Sequence, residues 1–335
     1  MGSHTGQRGR THRLKREELV MEVFSLISEE YERSDKETIW DVCVPLSTIR
    51  MRLSERHDTH YSSDQWLQTQ LKRYEDEMGV RLFQRTKDHA GTGTRQPTLS
   101  LVREMVDFYQ KQHLYVTEKI KVANGAYDFV SRKHLSLPGR PNNPDLPCSI
   151  LLGAGSTVYH LATLFAQGSH REERRYRIYT HNAGFMQKLL NSSVNFARVS
   201  LVALGGELEP VTRTLLSTNL DQVRNEPLDF VVQGTSCVCD GMLYIESSRE
   251  AAVKSSILHE CPGCKLLVCT KHEFSEQPLP NTEPYGKLTD YDYVVVPHSP
   301  DREPHKPYEK VFHEHRTHLE PEILNWSYAV HRVVK

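Results

Sequence analysis

The chain has 335 residues, 38% of them hydrophobic and 25% charged, with a formal net charge of −1. That length allows two or three domains with cores of their own, and no apolar run is long enough to span a bilayer. The near-neutral balance excludes wholesale coating of nucleic acid but leaves room for a local basic surface. Seven cysteines, unevenly spread, read as reduced thiols of a cytoplasmic protein.

Residues 1–16 are polar and basic and read as a disordered arm. Residues 17–100 then follow a helix, helix, helix, hairpin order. Leu19, Val23, Phe24, Leu26 and Ile27 form the stripe of a first helix, and Ile49 and Leu53 mark a second. Ser62 to Gln65 has the spacing of a capping box, opening a third helix with Leu67, Leu71, Tyr74 and Met78 on its buried face. The opposite face carries Gln65, Gln68, Thr69, Lys72 and Arg73, with Ser63 at the helix start, side chains suited to base edges and phosphates. Val80–Arg85 and Pro97–Leu101 read as the strands of a wing, where Arg85 and Lys87 are candidates for phosphate contacts. This is the order of a winged helix-turn-helix, and its expected partner is DNA.

The run Leu71-Lys72-Arg73-Tyr74-Glu75-Asp76-Glu77-Met78-Gly79-Val80-Arg81-Leu82-Phe83-Gln84-Arg85 resembles the end of the recognition helix and the wing of LysR-type regulators. Glu75, Gly79, Leu82, Phe83 and Arg85 fall in step with that family's pattern. The turn before Ser62 is longer than the family's, and no LysR-type effector domain follows.

Residues 101–135 are helix-forming, with an irregular apolar stripe, and suggest a linker that joins two copies into a homodimer or higher homo-oligomer. Residues 136–147 are a proline-rich boundary loop. Residues 148–300 alternate short apolar strands with helices, which argues for a parallel α/β sheet with its ligand at the carboxyl ends of the strands. Strands are expected at Ser149–Leu152, Tyr176–Thr180, Val199–Leu204, Asp229–Gln233, Lys265–Cys269 and Tyr293–Val296. Helices are expected near Val158–Gln167, Phe185–Leu190 and Ser247–Glu260.

Polar, glycine-bearing turns fall at the strand ends: Gly155-Ser156-Thr157, Thr180 with Asn182, Gly205-Gly206-Glu207 and Gly234, with Asp240 close behind. Glycines let a backbone approach an anion closely, and the hydroxyls add donors without adding charge. In this order, with Asp229 and the later Glu250-Ala251-Ala252-Val253-Lys254, the set resembles the effector domain of DeoR-type regulators. The resemblance implies a ribose-5-phosphate-isomerase-like fold that binds a sugar phosphate or related small phosphorylated metabolite, with Lys254 among the candidate ligand-binding residues. His181 interrupts the family's Thr-Asn pair, and Thr270 to Phe274 departs from its Asp-x-x-Lys-Phe segment.

An isomerase needs a carboxylate base and a cation for the developing enediolate. Gly153 to Val158 also resembles the phosphate loop of ribose-5-phosphate isomerases, which supply these groups from paired aspartates and a Lys-Gly-x-Gly-Gly segment; the corresponding stretch here, Ala203 to Glu207, lacks the lysine and the paired carboxylates, so the chain is read as a sensor and not an enzyme. Cys237 with Cys239 and Cys261 with Cys264 have zinc-like spacings but belong at opposite ends of the sheet, so no metal or cofactor is expected. Residues 301–335 read as a loosely held tail in which Ile323, Trp326 and Tyr328 can dock. The expected function is a cytoplasmic, metabolite-responsive transcription regulator. The alternatives are a sugar-phosphate isomerase-like enzyme, or a ligand-binding scaffold whose winged helix binds protein.

Overall fold

The computed structural model describes residues 14–88, 96–103, 105, 107–137, 146–171, 174–216, 220–298 and 305–335. Residues 1–13 of the basic arm, the tip of the 83–101 hairpin and most of the proline-rich loop lie outside them, as do the side chains of Lys87, Asp88 and Leu135; Arg16, expected in the arm, begins the first helix. The chain divides into two compact units: residues 1–105 with 113–116, and residues 106–112 with 117–335.

In the first unit α1 (Arg16–Arg33) is followed by β1 (Val44–Pro45), α2 (Leu46–His57), α3 (Asp64–Met78), β2 (Phe83–Asp88) and β3 (Gln96–Leu101). The three strands form an antiparallel sheet in the order β1-β3-β2. The apolar stripes expected from the sequence are buried: Leu19, Val23, Phe24, Ile49, Leu53, Leu67 and Leu71. The cap of α3 is Ser63 and not Ser62; its hydroxyl accepts the Trp66 N–H at 3.1 Å, one of the orphan donors of the first turn. Gly79 ends α3 with φ +66°, a left-handed cap open to glycine without strain.

Glu75 shows why the segment after α3 is built as it is. Its buried carboxylate accepts the N–H groups of Leu82 at 2.8 Å and Phe83 at 2.9 Å, and pairs with the Arg85 guanidinium at 2.6 Å. One side chain therefore ties the end of α3 to the start of β2.

The second unit opens with α4 (Phe108–Lys111) and α5 (Val116–Lys133), then β4 (Cys148–Leu152), α6 (Ser156–Tyr159), α7 (Leu161–Arg171), β5 (Tyr176–Thr180), α8 (Ala183–Leu190) and β6 (Val199–Ala203). Next come β7 (Glu207–Glu209), β8 (Thr214–Leu216), α9 (Asp221–Arg224), β9 (Phe230–Gly234), β10 (Cys237–Cys239), β11 (Met242–Ile245), α10 (Ser248–Glu260) and β12 (Cys264–Val268). The chain finishes with β13 (Glu283–Lys287), β14 (Tyr293–Pro297), α11 (Pro307–His315), β15 (Leu319–Leu324) and β16 (Tyr328–Val333). An eight-stranded sheet runs β15-β16-β14-β12-β9-β4-β5-β6. The strands from β14 to β6 are parallel, and β16 and β15 continue the sheet antiparallel. The fold is thus mixed α/β around a large, mostly parallel sheet.

Two expectations give way here. The helix expected to be a linker joining two copies is part of the core of its own chain: Val122, Ala123, Ala126, Phe129 and Val130 of α5 pack with Ile150, Leu152, Phe230 and Leu266. Its stripe is spent on the sheet. The last residues are not a loose tail either, because α11 buries Val311 and Phe312 and the β15–β16 hairpin adds two strands. Tyr328 is buried as anticipated, whereas Trp326, at the tip of that hairpin, is 87% exposed. Among the described residues no helix is long and apolar enough to cross a membrane.

Candidate functional site

The carboxyl end of β4 is where the sequence motifs converge. Gly153 donates its N–H to the Val232 carbonyl at 2.8 Å, which holds the turn against β9. Gly155 has φ +124°, a conformation that glycine tolerates, and Ser156 starts α6 immediately after it. Asn182 clamps the turn from the next strand: its amide donates to the Gly153 and Gly155 carbonyls at 3.3 and 3.1 Å. Its oxygen meanwhile caps α8 by accepting the Phe185 N–H. Thr180 donates to the Leu152 carbonyl at 2.7 Å. Both residues are fully buried, so they shape the turn from behind.

His181 has a role of the same kind. Its Nε2 accepts the Ala154 N–H at 3.1 Å, and burial, helped by the Lys254 charge, pushes its pKa down to about 3. The imidazole is therefore neutral, with its proton on Nδ1. Lys254 is also fully buried, and its ammonium donates to the carbonyls of Gly234 at 2.8 Å and Ala154 at 3.3 Å. Burial holds its pKa below the ordinary lysine range. It is a strut between the β4 and β9 turns.

The side chain that meets the outer edge of the turn comes from α5. Lys119 Nζ lies 2.9 Å from Ser156 Oγ and 2.6 Å from the Lys111 carbonyl. Lys119 is 4% exposed, while Ser156 is half-buried. Burial, reinforced by the nearby Lys111 charge, brings the Lys119 pKa down to about 8, although Glu273, Glu118 and Glu246 pull the other way. Lys111 is ion-paired with Glu246, whose other oxygen accepts the Ser236 hydroxyl at 2.7 Å. Burial acts against Glu246, yet Lys111 and Ser236 hold its pKa below the usual carboxylate value. Glu250 and Glu273 are raised, in both cases chiefly by burial. The rim therefore gathers Lys111, Lys119, Glu246 and Glu273 near Ser156 and Ser236, with Lys254 and Glu250 buried behind it, a concentration of perturbed groups typical of functional sites.

The structure brings together Gly155, Ser156, Thr157, Thr180, Asn182, Gly234 and Lys254. Gly205, Gly206 and Glu207 follow β6, two strands away from β4, and Glu207 is exposed and paired with Arg249 at 2.6 Å. Asp240 occupies the β10–β11 hairpin tip, where it and Gly241 both have positive φ and form a tight turn. Lys111, Lys119 and Glu246 do not stand out in the sequence, whereas Ser236 belongs to the polar turn at Gly234 and Glu273 to the departing segment from Thr270 to Phe274. Lys119 does carry a signal: it stands three and four residues before Val122 and Ala123, a lysine on the apolar stripe of its helix.

Cys237, Cys239 and Cys269 are buried, and burial pushes the Cys237 thiol up to about 11 and Cys269 well above its ordinary value. None is a ready thiolate. No group of His, Cys, Asp and Glu among the described residues could hold a metal ion.

In the first unit Gln65, Lys72 and Arg73 are exposed on α3, and Gln68 and Thr69 are half-buried. The Thr69 hydroxyl donates to the Gln65 carbonyl within the helix. Arg85 is engaged by Glu75, Ser63 by the helix cap, and the Lys87 side chain lies outside the described residues.

No protein-family model matches the chain, and no curated protein matches it. Among solved structures it is similar to a D-ribose-5-phosphate isomerase in complex with phospho-erythronic acid, at 14% identity and a TM-score of 0.31, over 64% of this chain and 78% of that one. Ribose 5-phosphate isomerase A from Methanocaldococcus jannaschii is similar at 13% identity and a TM-score of 0.30, over 65% and 79%. The delta subunit of translation initiation factor eIF-2B from A. fulgidus is similar at 10% identity and a TM-score of 0.34, over 84% and 85%. At such scores these likenesses carry no weight for fold or function; the functional reading rests on the residues of the site.

Proposed function

We propose that the chain is a DNA-binding transcription regulator whose second unit is a DeoR-like, ribose-5-phosphate-isomerase-like sensor of a phosphorylated sugar, nucleotide or related metabolite. The observation that carries this reading is the Gly155–Thr157 turn with the Lys119 ammonium 2.9 Å from Ser156 Oγ. A glycine-opened turn, a hydroxyl and a buried cation form a receptor for a compact anion. Glu246 and Ser236 offer hydrogen bonds to hydroxyls on the same ligand. Because Lys119 must be charged to attract the anion, affinity should hold near neutral pH and fall as pH rises through about 8. Calorimetric titration with inorganic phosphate between neutral pH and pH well above 8 checks this, and a flat profile would remove Lys119 from the site.

The helix-strand-helix-helix-strand-strand order of the first unit supports a winged helix, with α3 as the recognition helix. Lys72 and Arg73 are assigned to phosphates; Arg85 serves the fold through Glu75. Replacing Lys72 or Arg73 with alanine should weaken DNA binding across all sequences. Removing one phosphate-binding side chain should reduce the slope of log affinity against log salt by about 0.9. Fluorescence anisotropy over a salt series measures both effects. Unchanged slopes in both variants would displace α3 from the DNA, and no salt-dependent affinity for any duplex would favour a scaffold whose winged helix binds protein.

A second reading is favoured by one observation. Glu246, Glu250 and Glu273 supply beside Lys111 and Lys119 the carboxylate-and-cation pairing that an aldose–ketose isomerase needs. Turnover of a bound sugar phosphate separates the two readings.

A further inference from the structure

The two edges of the eight-stranded sheet are treated differently. At one edge β15 carries Glu320, Pro321 and Glu322, with a register shift between Pro321 and Ile323. Charge, proline and irregularity are the devices that stop an edge strand from pairing with another chain. At the other edge β6 reads Val199-Ser200-Leu201-Val202-Ala203 and has none of them. It is uncharged, regularly paired to β5 on one side, and Leu201 and Val202 are only half-buried. No strand of the described residues lies beyond it.

The backbone register fixes what can pair there. The Arg198 carbonyl accepts from Tyr176 and the Leu204 N–H donates to Thr180, so Arg198, Ser200, Val202 and Leu204 turn their peptide groups toward β5. Leu201 and Ala203 turn theirs outward, as does the Val199 carbonyl; the Val199 N–H is taken by Asn195 at 3.1 Å. These outward groups complement themselves about Leu201. In an antiparallel pair centred there, Leu201 exchanges both bonds with its own copy, and each Ala203 N–H meets a Val199 carbonyl. The surroundings complement one another in the same register. The entrance of β6 carries Phe196, 55% exposed, and its exit leads to Leu208, 45% exposed. Antiparallel pairing sets the entrance of one copy against the exit of the other, apolar to apolar.

We propose that β6 is the interface for a second copy of this chain, joined by antiparallel pairing about a two-fold axis at Leu201 into one continuous sheet. This goes beyond the sensor reading and does not depend on it.

Sedimentation of the full chain at micromolar concentration should show a dimer. Ala203→Pro removes only an outward N–H, and the two bonds removed per dimer should weaken association roughly 10- to 100-fold. Ser200 of one copy faces Val202 of the other at a non-hydrogen-bonded pair, close enough for a disulfide. Ser200→Cys with Val202→Cys should therefore form a covalent dimer on oxidation, whereas neither single variant should. A monomeric parent chain, or a dimer indifferent to Ala203→Pro whose double-cysteine variant stays unlinked, would overturn the assignment.

Discussion

Lys119→Met is expected to abolish anion binding by the second unit and at the same time to raise its melting temperature. The two effects share a cause. Lys119 is buried to 4% exposure, and its pKa of about 8 lies below the ordinary lysine value of 10.5. Below the folded-state value the side chain is charged in both folded and unfolded chains, so the fold carries the full cost of burying the ammonium. That cost is relieved as pH rises from about 8 toward 10.5, where the unfolded chain binds more protons. The difference corresponds to roughly 3 kcal/mol, part of which returns when the bonds to Ser156 and the Lys111 carbonyl are removed. Methionine has similar length and no charge, so a net gain of a few degrees is expected, set against a loss of anion affinity of about 100-fold or more. Thermal melting and phosphate titration of the one variant measure both. A variant that melts earlier and still binds the anion would make Lys119 a structural residue and nothing else.

The second large effect is expected at Glu75. Glu75→Ala leaves the N–H groups of Leu82 and Phe83 and the Arg85 guanidinium without their shared acceptor. Losing one partner of a buried, hydrogen-bonded charge cluster costs about 3–5 kcal/mol, a large share of the stability of a small domain. Urea unfolding should show the first unit melting earlier while the transition of the second stays in place. Glu75→Gln, which keeps the shape and one acceptor, should fall between the parent and alanine. A cost below about 1 kcal/mol for Glu75→Ala would mean that apolar packing alone joins α3 to β2.

The parallel sheet is legible in the sequence because its strands are short apolar runs ended by polar, glycine-bearing turns. Tyr176–Thr180 is legible to the residue, and β4, β6, β9, β12 and β14 to within a residue or two at each end. The three helices of the first unit are legible in their helical periodicity, and its hairpin as two strand-like runs. What escapes depends on partners far away in the chain. The strand Leu319–Leu324 carries two glutamates and a proline, so it has no apolar alternation; it is a strand because β16 pairs with β14 and offers it an edge. The small sheet of β10, β11 and β13 joins a local hairpin to a strand that begins at Glu283, well over thirty residues further on. The α5 stripe is visible, but nothing local says whether such a stripe faces a sheet or a second helix.

The site is half legible. Its turn, Gly155 to Thr157, and the clamp Asn182 stand out as motifs. Thr180, Asn182 and Lys254 belong to the same pattern, yet they hold the turn in shape from behind. The groups that give the rim its charge, Lys119, Lys111, Glu246 and Glu273, come from four segments with no shared spacing. Only the fold places them side by side.

The most direct test of the sensor reading is an NMR titration of the full chain with a panel of sugar phosphates and nucleotides, each sample followed for hours. Saturable binding to one ligand class, lost in Lys119→Met and without chemical change of the ligand, is the predicted result. The appearance of product, carried out by the lysines and glutamates of the rim, would contradict it and make the chain an enzyme.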